Sequence, residues 1–78
     1  MVDSYLFQLN LDLMQFLASA DLTSVAPIEI NGRSYPGKSL YTLTIWYDPE
    51  QMLPIRRVNQ DRGNTIIDEF TYHLVNQA

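Results

Sequence analysis

Seventy-eight residues fit a single domain, and a chain this small buries only about 60 % of the surface its unfolded form exposes. Cysteine is absent, which excludes disulfides and thiolate metal sites. Five basic against nine acidic residues give a net charge of −4, which argues against nucleic-acid binding because that rests on phosphate neutralisation by Lys and Arg. A hydrophobic content of 46 % is generous for a lone small domain, so a partner chain, a protein or a second copy in a homodimer, is expected to supply stability.

The first residues, Met1-Val2-Asp3-Ser4, carry no basic segment, and Gln8, Asn10, Asp12 and Gln15 interrupt the apolar run that follows. Neither a signal peptide nor membrane insertion is expected, and a cytoplasmic location is the default, with export if the chain has been trimmed. Leu6, Leu9, Leu13, Phe16 and Leu17 form an amphipathic stripe that predicts a helix over 4–19, with Asp3 or Ser4 as N-cap. The competing reading is a strand, in which Phe7, Leu9, Leu11 and Leu13 alternate with polar residues; the unbranched Leu, Met and Gln content favours the helix. Met14 and Met52 are expected in the core. Residues 20–26 read as a polar connector.

Strands are expected over 27–35 and 39–47. Between them Gly32-Arg33-Ser34-Tyr35-Pro36-Gly37-Lys38-Ser39 matches the G-x-x-x-x-G-K-[ST] pattern of a phosphate-binding loop. That motif works only when a helix follows it, because the helix N-terminus and the loop N–H groups hold the phosphates together. Leu40 to Tyr47 is instead β-branched and aromatic, which makes it a strand. The motif is therefore read as two turns, Asn31-Gly32 as a type I′ hairpin and Pro36-Gly37 as a bend, with Lys38 a solvated cation and no cofactor expected.

Asp48-Pro49-Glu50-Gln51 has the residues of a type I turn, after which 53–60 forms a strand with Pro54 at its start or on an edge. Arg56 and Arg57 then point to opposite faces, as do Asp68 and Glu69. Asp61-Arg62-Gly63-Asn64 is a turn, and 65–75 is ambiguous between helix and strand, with its β-branched and aromatic residues favouring strand. The fold class is α+β, one N-terminal helix on a four-stranded antiparallel meander.

His73 is the lone histidine, which argues against a His-based metal site or a catalytic triad, so no enzyme is expected. Trp46, on a face otherwise of threonines, is the leading candidate for an exposed aromatic anchor, and Tyr41, Arg56 and His73 complete the candidate interface. The function expected is a non-enzymatic protein-interaction module.

The segments Glu29-Ile30-Asn31-Gly32-Arg33, Ile45-Trp46-Tyr47-Asp48-Pro49-Glu50, Leu53-Pro54-Ile55-Arg56 and Glu69-Phe70-Thr71-Tyr72 with Asn76 resemble, in their order, the strand meander of bacterial LolA-like lipoprotein-carrier proteins. That resemblance implies a curved sheet whose apolar face holds a lipid under the helix, a hydrophobic-ligand carrier being the alternative function. It also implies that a second copy could complete the half-barrel.

Overall fold

Residues 4–70 are described by a computed structural model. Helix α1, Ser4–Leu17, is followed by five strands: β1 Thr23–Ile30, β2 Arg33–Leu40, β3 Leu43–Asp48, β4 Leu53–Asp61 and β5 Asn64–Glu69. Each strand pairs antiparallel with the next, so the sheet order is the chain order.

The helix forms because Leu, Met and Gln lose little rotamer freedom in it, and because one apolar stripe finds the sheet. It ends in a tightened turn, with the Ser19 N–H donating to the Phe16 carbonyl at 3.2 Å. Leu13 is its deepest residue at 2 % exposure and lines the helix side of the sheet with the buried Ile45, while Leu53, also buried, lines the opposite face. Burial of a Leu on this scale contributes about 2–3 kcal/mol. A polar clamp adds to it: Asn10 Nδ2 donates to the Met52 carbonyl at 2.8 Å and lies 3.3 Å from that of Gln51, tying α1 to the β3–β4 turn.

Strand alternation assigns the faces. Leu43, Ile45, Pro54 and Arg57 lie with Leu9, Leu13 and Phe16 on the helix side, so Thr44 and Trp46 lie on the other. Arg56 joins them, opposite Trp46 in the register. The sequence placed Arg56 and Arg57 on opposite faces, and the structure pairs each with its own acid. Arg56 Nη2 is 2.8 Å from Glu69, and Arg57 Nη2 is 2.9 Å from Asp68.

Five strands replace the four expected, because two turns are not where composition placed them. The Asn31-Gly32 turn is real, with φ of 54° and 78°, but it divides the expected 27–35 strand, and β1 begins back at Thr23 in the presumed connector. Pro36-Gly37 is no bend and lies inside β2. The register skips Pro36 where it also skips Ala26 and Pro27, so the missing proline N–H falls at a gap in the ladder. The second reversal is at Tyr41-Thr42, within the expected 39–47 strand, with Leu40 opposite Leu43. Tyr41 takes a φ of 55° there, a conformation that neither its bulk nor its strand propensity favours. The helix stops two residues short of 19. The last expected strand is β5 as far as Glu69, its remainder, 71–75, lying outside the described residues together with Asp3.

Candidate interaction site

Three surfaces carry exposed apolar or charged groups that the fold itself does not consume. The first is the outer side of α1. Phe7, Leu11 and Met14 recur at i, i+4 and i+7, and all three are exposed, Phe7 at 57 % and Met14 at 47 %. Met14 is thus not in the core, as its type suggested. The helix is apolar on two sides, and the sheet accepts only the stripe through Leu9, Leu13 and Phe16. This second stripe was legible in the spacing of its residues, but the first stripe masked it.

The second surface is the outer edge of β5, where Ile66 and Ile67 are 55 % and 59 % exposed. They lie on opposite faces of the sheet, opposite Asn59 and Val58 of β4.

The third is a groove of about 410 Å³ on the face away from the helix, lined by Ile30, Tyr35, Leu53, Ile55 and Phe70 with Arg33, Asp48, Arg56 and Glu69 at its polar parts. Its charges are already paired. Arg33 reaches Glu50 and stands 3.6 Å from the buried Asp48 carboxylate. That carboxylate also accepts the Glu50 and Gln51 N–H groups at 2.9 and 3.3 Å, fixing the β3–β4 turn as the Asp-Pro sequence implied. Arg56 pairs with Glu69, while its Nε is buried with no hydrogen-bond partner.

Of the candidate residues from sequence, the structure sets Trp46 and Arg56 opposite each other on one face and leaves Tyr41 at the β2–β3 turn. Trp46 is half-buried and internally engaged: its indole covers Gly37 and Nε1 donates to the Ala26 carbonyl at 2.8 Å. It therefore staples β3 across β2 to β1. Tyr41 projects from the β2–β3 turn, 85 % exposed. Arg56 lies in the groove, and His73 is outside the described residues.

The segment matching a phosphate-binding loop is a hairpin turn and strand β2, with strand β3 after it. Lys38 Nζ donates to Ser24 Oγ at 2.7 Å, and Ser39 Oγ accepts from Thr44 Oγ1 at 3.2 Å. As neighbours on a strand these two side chains take opposite faces, so they do not converge on one phosphate. Among the described residues no cluster of three or more His, Asp or Glu side chains is arranged to hold a metal, and no helix is long and apolar enough to cross a membrane.

Compared with family models, with curated proteins and with solved structures, the chain matches none.

Proposed function

We propose that this protein is a non-enzymatic protein-interaction module, and that the outer stripe of α1 is its partner-binding surface. The observation that carries the reading is Phe7, Leu11 and Met14 standing exposed at helical spacing on a helix whose opposite side is already packed. An amphipathic stripe of i, i+4 and i+7 anchors is the form in which a helix enters an apolar groove.

A photo-cross-linking side chain at position 11, irradiated in cells, tests the reading. Discrete protein adducts at position 11 that are absent from position 12, an exposed polar site about 100° around the helix from Leu11, support it. Equal labelling at both positions overturns it.

The carrier reading has one observation in its favour, a space of about 230 Å³ between α1 and the sheet lined by Leu9, Leu13, Phe16, Leu43 and Ile45. Small-molecule sites span about 300–1,000 Å³, so this space suits only a short acyl segment. A thermal shift with octanoate that Leu13→Trp removes would support it.

A further inference from the structure

We infer that the outer edge of β5 pairs with β5 of a second copy in one register, with Ile67 opposite Ile67 on the two-fold axis, joining two sheets into one of ten strands. The inference deepens the interaction reading by naming the occupant of one surface, and it uses a surface separate from the helix stripe.

Hydrogen-bond alternation identifies what the edge offers. The Phe70 N–H donates to the Ile55 carbonyl at 3.0 Å, continuing the β4–β5 register. In an antiparallel ladder bonded pairs alternate with unbonded ones, so Asp68, Ile66 and Asn64 also bond inward to β4. Thr65, Ile67 and Glu69 then direct their N–H and C=O groups away from the sheet. Among the described residues this is an unpaired row, on a strand with neither proline nor lysine to block it. The other edge is obstructed, since β1 carries Pro27 at an interruption in its register.

Symmetry restricts the pairing. A two-fold axis normal to the sheet keeps each face on its own side, so residues of one face pair only with residues of that same face. Ile66 opposite Ile67 is thereby excluded. With Ile67 on the axis, Thr65 meets Glu69 of the other copy, and all three outward-facing residues exchange bonds. Sliding one way places Glu69 against the Gly63 turn, outside the strand. Sliding the other way sets Asp68 against Asp68, a like-charge pair that costs stability.

Charge does not oppose the pairing, because Asp68 and Glu69 are each held by an arginine across β4.

The test begins with the native mass of the full chain at micromolar concentration, expected at twice 9.0 kDa. Ile67→Pro removes an outward N–H that takes no part in the β4–β5 ladder, at an edge position where proline is accommodated, so it should halve that mass while the circular dichroism keeps its sheet signature. Ile67→Cys, in a chain without other cysteines, should give a disulfide-linked dimer on mild oxidation, because bonded pairs place Cα atoms about 5.5 Å apart. Ile66→Cys should stay unlinked. A monomeric parent, a dimer that survives Ile67→Pro, or linkage through position 66 in place of 67 overturns the inference. Adducts at helix position 11 are read separately, so a failure here is distinguishable from a failure of the interaction reading.

Discussion

The indole of Trp46 lies so close on Gly37 that a Cβ at that glycine would stand 2.5 Å from both Cδ1 and Nε1 of the ring and 2.7 Å from Cγ2 of Val25. The contact joins three strands, because the same ring bonds the Ala26 carbonyl in β1. Gly37→Ala should therefore displace the indole, break that bond and destabilise the fold by about 2–4 kcal/mol. Urea denaturation followed by the fluorescence of this lone tryptophan measures it. The penalty should shrink in a Trp46→Phe background; an equal penalty in both would refute the steric account.

The two sides of α1 should respond in opposite ways. Leu13→Ala removes the most buried side chain and is expected to cost about 2–5 kcal/mol. Leu11→Glu, on the outer stripe, should change stability by no more than about 0.5 kcal/mol. Denaturation midpoints decide this, and a large loss at Leu11 would mean that the stripe is packed in the isolated chain.

Asn10→Ala should cost about 1–2 kcal/mol, because two turn carbonyls lose their donor while the helix propensity improves. Amide exchange offers a local readout. Protection at the β3–β4 turn should fall before protection in β2 does, and a uniform fall would show that Asn10 acts only through global stability.

Tyr41→Asn should raise stability by roughly 0.5–1 kcal/mol, since Asn tolerates the left-handed backbone that Tyr adopts there at a cost. Thermal unfolding of the two proteins checks it. A destabilised Asn variant would mean that the Tyr41 ring makes a contact worth more than the strain.

Lys38→Ala should leave the chain as it was toward nucleotides, with neither parent nor variant giving heat on titration with ATP or GTP. Binding by the parent that the variant loses would overturn the reading of residues 32–39 as turn and strand without phosphate contact. The loss of the Lys38–Ser24 bond at the surface is expected to cost less than about 1 kcal/mol.

Short-range chemistry made the turns at Asn31-Gly32 and Arg62-Gly63 legible, because both residues of each take positive φ and the second is a glycine. Asp48 announced its turn for the same reason: its carboxylate needs only the N–H groups two and three residues on. Tyr41-Thr42 gave no such signal, and its strand-forming residues pointed the other way. Among the interface candidates, Tyr41 was identifiable as an aromatic but not as a turn tip. The helix stripe of Phe7, Leu11 and Met14 was present in the spacing, yet nothing local says which of two apolar stripes a sheet will accept.

By itself the sequence determined what depends on neighbours along the chain: the helix, the glycine turns, and the alternation that sends Arg56 and Arg57 to opposite faces. Only the tertiary structure decided that Tyr41 would reverse the chain, that Pro36 would lie inside a strand, and that Trp46 would fold inward. Each of these depends on residues distant in sequence, Leu40 against Leu43 in the ladder, Pro36 facing the gap at Ala26 and Pro27, and Gly37 open beneath the indole. Local propensities there differ by about 1 kcal/mol or less, which packing across the sheet readily exceeds.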